Sequence, residues 1–281
     1  MLSEPSLAAG PTGRSAFVIG DPIEHSKSPD LHNAAFAAAG LPHVYGRIRV
    51  GVDEVGEVIA EMRRQRWLGL SVTMPDKEAV IAHLDRLTPS AELLGAVNCV
   101  MWDGDDLVGD NTDGAGLVWA IRDHLGVDVR TAIGVVGAGG AARAAMVALA
   151  EAGANSITVV NRTRSRAEAA VATTNAAVAG VARVGEAADL TSCGIVLNAT
   201  PQGMGDAGVA SLPAYVPTEG QLAYDLVYHP RVTAWMAAAE ARGARTANGL
   251  SMLIGQAAVQ FERWTGVKAS TEAMLRAVER D

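Results

Sequence analysis

Short apolar runs alternate along this chain with segments of helical period. Ser15 to Ile19 reads as a strand, Pro29 to Ala39 as a helix, Val44 to Val50 as a strand and Val52 to Gln65 as a helix. From Leu68 to Met74, Leu70, Val72 and Met74 alternate with Ser71 and Thr73, as in a strand with one buried face, and Pro75 ends it. A helix from Asp76 to Leu87, strands near Ala96 to Trp102 and from Asp106 to Gly109, and a helix from Ala115 to Leu125 follow. The apolar run Ile133 to Val136 then enters an alanine-rich helix. Ser156 to Val160 is the next strand, and residues 167–182 read as a helix and its exit. Past Gly249, Leu253, Ala257, Phe261 and Trp264 form the apolar stripe of a closing helix, which Gln256 interrupts. This alternation is that of an α/β protein.

The transition after Val136 carries specific chemistry. Gly137-Ala138-Gly139-Gly140-Ala141-Ala142 joins strand to helix. Gly137 permits a tight turn, Gly139 lets the backbone approach a pyrophosphate, and small Ala142 lets helix pack on strand, with helix-start N–H groups aimed at phosphate. About 20 residues later, where a dinucleotide fold reads the ribose, stands Asn161 rather than an acid, followed by Arg162, Thr163, Arg164 and Arg166. An acid there would accept from the 2′-hydroxyl of NAD, whereas these cations and the hydroxyl suit a 2′-phosphate. The expected cofactor is NADP. The same residues also fit a basic, solvated helix start, a reading that loses ground beside Gly137 and Gly139.

A length of 281 residues allows two modest domains with sizeable cores. The fingerprint opens mid-chain, so about 110 preceding residues form a separate unit, with the helix after Asp113 as a bridge. The net charge of −8 argues against a general nucleic-acid surface. No stretch approaches the roughly 20 apolar residues of a spanning helix, and Met1 to Pro5 lacks the pattern of a signal peptide. Two cysteines, Cys99 and Cys193, without CxxC spacing suit a reducing cytoplasm and a packing role. No metal is expected, and the oligomeric state stays open, a homodimer included.

Four further clusters each admit a plain reading and a chemical one. Ser28 before Pro29 is a good helix N-cap, yet Ser26 and Ser28 at a helix start also suit a carboxylate. Lys77 falls in the first turn of the expected 76–87 helix, where the dipole disfavours a cation; it is a surface lysine or has another task. Asp113 either caps the helix that follows or presents its carboxylate inward. Gln256 is an exposed helix position or a buried polar group on an apolar face.

Taken together these clusters resemble the shikimate dehydrogenase family nearly from end to end. The matching pieces are Ser26-Lys-Ser28-Pro29, Val72-Thr-Met-Pro-Asp-Lys77, Gly95-Ala-Val-Asn98, Asn111-Thr-Asp113, Gly137 to Arg143, Asn161-Arg-Thr163, Asn198-Ala-Thr-Pro-Gln-Gly-Met204, Tyr224-Asp-Leu-Val-Tyr228 and Gly249 to Gln256, in the family's order. The resemblance implies reversible reduction of 3-dehydroshikimate to shikimate with NADPH, on the way to aromatic amino acids. It implies a Rossmann-type doubly wound nucleotide domain, residues 114–248, and a discontinuous α/β substrate domain, residues 1–113 and 249–281, around a cleft. On that likeness Lys77 and Asp113 are the catalytic pair. Ser26 and Ser28 hold the substrate carboxylate, Thr73, Asn98, Asp113 and Gln256 its ring hydroxyls, and Tyr228 lies near it. Gly137, Ala138, Gly139, Gly140 and Ala141 contact pyrophosphate, Asn161, Arg162, Thr163 and Arg166 the adenosine phosphate, and Thr200, Met204, Leu226 and Gly249 the nicotinamide side.

Three positions depart from the family's usual pattern: Ser71 stands where asparagine often precedes Val-Thr, Asp76 where an apolar residue is common, and Cys99 where threonine usually follows Asn98. None removes a group assigned to catalysis, though Asp76 puts a carboxylate beside Lys77. Two alternatives remain at this point. One is an NAD-dependent quinate/shikimate dehydrogenase, which Arg162 and the lack of an acid at Asn161 oppose. The other is a non-catalytic NADP-binding sensor, which has no need of both Lys77 and Asp113.

Overall fold

The structure, a computed structural model, describes residues 12–205 and 215–279; the opening segment Met1 to Pro5 considered above lies outside them. The chain divides into two compact units, one of residues 1–112 and 254–281 and the other of residues 113–253. Among the described residues no helix is long and apolar enough to cross a membrane.

In the first unit, β1 (Ser15–Gly20), β2 (Val44–Arg49), β3 (Gly69–Val72), β4 (Arg86–Leu87), β5 (Cys99–Asp103) and β6 (Asp106–Asp110) form one sheet in the order β2-β1-β3-β5-β6-β4. β1 pairs parallel with β2 and β3, while β5 runs antiparallel to both β3 and β6. The helices are α1 (Ser28–Ala39), α2 (Val55–Gln65) and α3 (Pro89–Leu94), joined by the chain's last two, α8 (Leu250–Thr265) and α9 (Thr271–Val278). All four residues of β3 are buried. The expectation of one solvent face is therefore corrected: a strand covered on both sides buries its polar alternates too, and Ser71 is 4% exposed. A side chain on Gly69 would strike the Trp264 indole, at 2.2 Å from Nε1, and that indole donates to Val100 O at 3.0 Å.

Two local expectations fail for identifiable reasons. Residues 76–87 are not one helix. Lys77 lies in a turn, a 3-10 helix spans Ala79–His83, and Arg86–Leu87 forms β4. An α-helix would bond Lys77 O to Ile81 N, but that carbonyl accepts Val97 N at 2.8 Å, and Ile81 N turns to Glu78 O. At α1, Pro29 does occupy the first turn, but Lys27 holds the N-cap position without a side-chain cap bond. The capping hydroxyl belongs to Ser26, whose Oγ accepts Ser28 N at 3.3 Å. Helix α3 was not expected, although Thr88 caps it by accepting Ala91 N and Gly95 ends it in the left-handed region.

The second unit is one six-stranded sheet, parallel throughout, of β7 (Ala132–Val136), β8 (Ser156–Val160), β9 (Ala182–Val184), β10 (Ile195–Asn198), β11 (Leu222–Asp225) and β12 (Arg245–Asn248). The order β12-β11-β10-β7-β8-β9 is 6-5-4-1-2-3 in this unit's own count, the doubly wound order of dinucleotide folds. Its helices are α4 (Asp113–Val118), α5 (Gly140–Glu151), α6 (Arg164–Ala177) and α7 (Ala234–Glu240); beyond α4 the chain continues as a π-helix over Trp119–His124 rather than as the single regular helix expected. Ile133, Val135, Ile157, Val159, Ile195 and Leu197 meet the alanine face of α5, with Ala142 and Ala145 fully buried, in one core.

Candidate functional site

In the second unit the switch in strand order lies between β7 and β10, where ligands of such sheets bind outside the strands' carboxyl ends. Gly137 sits there with φ 112°, and a Cβ on it would lie 2.8 Å from Ala199 O. Only glycine meets both demands. Gly139 is the N-cap of α5, and Gly140 opens it. A Cβ on either would have no neighbour within 4 Å, so the exposed helix start leaves room for a ligand against its N–H groups. Ala138 beside them is buried and Ala141 exposed. This cradle fits a pyrophosphate.

At the end of β8, Asn161 Nδ2 donates to Thr163 O at 2.8 Å, which closes the turn into α6. Arg162, Thr163 and Arg166 are exposed there, while Arg164 pairs with Glu168 at 2.9 Å. Two guanidinium groups and a hydroxyl at that point match a 2′-phosphate, and no acid takes the ribose position. After β10, the Thr200 hydroxyl and N–H both donate to Asn198 Oδ1, and Asn198 Nδ2 donates to Asp225 Oδ1 at 2.9 Å. Thr233 Oγ1 donates to the other Asp225 oxygen at 2.7 Å. Burial pushes the Asp225 carboxyl up, opposed by these donors. Asn198, Asp225 and Thr233 thus fix the loop that carries Thr200 and the exposed Met204, a framework the sequence reading did not assign. A Cβ on Gly249 would lie 2.1 Å from Leu226 O, so those two positions are in direct backbone contact. Tyr228 is half-buried just past β11.

In the first unit, most of the residues assigned to the substrate gather at one end of the sheet. Thr73, just past β3, donates its N–H to Ile19 O at 2.9 Å. Asn98, just before β5, receives Val72 N on its carbonyl and donates its own N–H to Asp110 O. The bond between Val97 N and Lys77 O ties the Lys77 turn to the same edge. Gln256 on α8 is buried, which settles its two readings in favour of a polar group on the apolar face; its Oε1 lies 3.4 Å from Asn98 Nδ2. Ser28 is 6% exposed and Ser26 half-buried at the start of α1. Asp113 is the first residue of α4 in the second unit.

Behind Asn98 and Gln256 stands a buried polar chain that the sequence reading missed. Tyr45 OH donates to Ser71 Oγ at 2.5 Å, and Ser71 Oγ donates to Gln260 Oε1 at 2.5 Å. Gln260 Nε2 reaches Gln256 Oε1 at 2.8 Å, Asn98 O at 3.0 Å and Thr112 Oγ1 at 3.3 Å. Thr112 N donates to Asn98 Oδ1 at 2.7 Å. His32 lies beside this chain, stacked on Tyr45 at 4.3 Å between centroids, and burial pushes its imidazole down to about 3. Both cysteines are buried and free, and burial drives the Cys99 thiol up.

Three family models match the chain in order: the shikimate dehydrogenase substrate binding domain over residues 18–100, shikimate / quinate 5-dehydrogenase over 123–202, and the shikimate 5′-dehydrogenase C-terminal domain over 249–279. A shikimate dehydrogenase (NADP(+)) of Symbiobacterium thermophilum is 39% identical over 99% of this chain and 97% of its own. The chain belongs to the shikimate dehydrogenase family. Solved members match it over nearly the whole chain. A shikimate dehydrogenase in complex with NADP+ has a TM-score of 0.89 at 36% identity, covering 95% of each chain. The Thermus thermophilus shikimate 5-dehydrogenase, in complex with NADP(H) and shikimate, has a TM-score of 0.87 at 34% identity, covering 95% of this chain and 99% of that one. Shikimate dehydrogenase architecture, a Rossmann-type unit with a discontinuous α/β unit, accounts for both sheets described above.

Proposed function

We propose that this chain catalyses the reversible NADPH-dependent reduction of 3-dehydroshikimate to shikimate in the formation of aromatic amino acids. The observation that carries this reading is the coexistence, in a member of this family, of the open glycine cradle at Gly139 and Gly140 with the amide cluster of Asn98 and Gln256. Gly137 to Ala141 would hold the pyrophosphate, Asn161, Arg162, Thr163 and Arg166 the adenosine phosphate, and Thr200, Met204, Leu226 and Gly249 the nicotinamide side. The bound dinucleotide supplies the hydride.

Ser26 and Ser28 take the substrate carboxylate, and Thr73, Asn98, Asp113 and Gln256 its ring hydroxyls, with Tyr228 nearby. As the ketone carbon is reduced, charge builds on its oxygen; the Lys77 ammonium stabilises that charge and gives up a proton from Nζ. Asp113 is the second member of the proposed catalytic pair. Residues 1–113 and 249–281 serve the substrate and 114–248 the cofactor. The free, buried thiols suit an enzyme of the reducing cytoplasm, and a homodimer is compatible with this assignment.

The test follows nicotinamide absorbance with purified protein, comparing NADP+ with NAD+ and shikimate with quinate. Turnover with NADP+ and shikimate is expected. Turnover confined to NAD+ and quinate would move the chain to the quinate branch, and NADPH binding without turnover would make it a sensor. Lys77→Ala is expected to lower kcat by about 10²–10⁴-fold, the range of a general acid, with NADPH affinity nearly unchanged. Wild-type turnover in that variant would remove Lys77 from its role.

A further inference from the structure

The polar chain behind Asn98 and Gln256 has a direction that its main-chain members impose. An amide side chain can turn end for end, whereas a backbone carbonyl only accepts and a backbone N–H only donates. Asn98 O therefore requires the NH2 end of Gln260, which lies 3.0 Å away. With that end fixed, Gln260 Oε1 faces Ser71, whose hydroxyl donates to it and in turn accepts from Tyr45. Burial holds the Tyr45 phenol in its neutral, donating form. The NH2 of Gln260 then needs an acceptor on its neighbour one turn back, and finds Gln256 Oε1 at 2.8 Å. Thr112 N fixes Asn98 in the same way by taking its Oδ1. Both amides are thereby oriented with their oxygens spoken for by protein donors, so each presents its NH2 to any other group it meets.

We propose that Gln260 is a positioning residue for substrate recognition: it locks the Gln256 amide with the oxygen inward, so that Gln256 acts as a donor toward a substrate oxygen, and Ser71 and Tyr45 hold Gln260 in turn. This rests on the reading of Gln256 as a substrate ligand. Gln260 is 1% exposed, and its NH2 is directed at Asn98, Thr112 and Gln256 rather than at solvent. The departure of Ser71 from the family's common asparagine gains a purpose on this view, since its single hydroxyl proton has one destination, Gln260 Oε1.

The experiment measures KM for shikimate, kcat and the Kd for NADP+ in Gln260→Met, which keeps the length and removes both amide atoms, and in the milder Ser71→Ala. Gln260→Met is expected to raise KM for shikimate at least tenfold, with kcat within threefold and the NADP+ Kd within twofold. Ser71→Ala is expected to raise KM about threefold to fivefold, and it carries the test if Gln260→Met does not fold. Gln256→Ala separates the two readings. If it leaves KM unchanged, Gln256 is not a substrate ligand and the underlying assignment fails. If it raises KM while Gln260→Met and Ser71→Ala do not, the assignment stands and the positioning role is overturned. The double variant Gln256→Ala/Gln260→Met is expected to be no worse than Gln256→Ala alone; additive losses would show that Gln260 acts by another route.

Discussion

Asp76 precedes Lys77 as a fully enclosed carboxyl, and neither of its oxygens has a hydrogen-bond partner among the described residues. Burial, then the nearby charges of Asp21 and Glu54, push its pKa up from 3.8 to about 6. The sign of the consequence follows from linkage. The unfolded chain releases this proton near 3.8, before the native state does, so stability falls as pH rises from about 4 to about 6 and stays reduced above that. Asp76→Asn, which removes the charge at constant size, is expected to be more stable than the parent by about 1–3 kcal/mol at pH 8. Thermal or urea unfolding should show that gap closing toward pH 4; a gap of constant size would mean that the charge is not its source.

At the scale of elements, glycines separate two kinds of necessity. Gly249 is held by the protein itself, because a methyl there would press into Leu226 O. Gly249→Ala is expected to lower the melting temperature, at a cost of about 1–3 kcal/mol. Gly140 meets nothing in the protein, and alanine is the better helix former by up to about 1 kcal/mol. Gly140→Ala should therefore keep or raise the melting temperature while weakening NADP+ binding at least tenfold by titration; unchanged binding would show that no phosphate lies against that turn. The strands that were read were legible for a local reason: runs such as Ser156–Val160 are apolar and β-branched, and the glycines follow directly on one of them, whereas β4, β9, β10 and β12, of two to four residues each, went unread. The 76–87 stretch was not, because its local pattern is helical while the bond that decides its shape comes from Val97. Ser71 and Gln260 were equally hidden. They meet across 189 positions of sequence, and nothing in a polar residue's own neighbourhood announces a buried partner that distant.

At the scale of the molecule, the proposed assignment gives the two sheets separate chemistry, and substitutions should then respect the division. Arg162→Ala is expected to weaken NADPH at least tenfold more than NADH while leaving KM for shikimate within twofold; equal weakening of both dinucleotides would show that Arg162 does not read the 2′-phosphate. The division also has a temporal side. The first sheet's strands all precede residue 113, yet the tryptophan that fills the space over Gly69 and the glutamine that completes the Tyr45–Ser71 chain lie beyond residue 253. At about 5–20 residues per second, a ribosome spends roughly ten seconds or more on the intervening unit. During synthesis the older sheet therefore waits with an open slot while the younger one closes, and damage to the tail of the message is felt in the part of the protein that was made first.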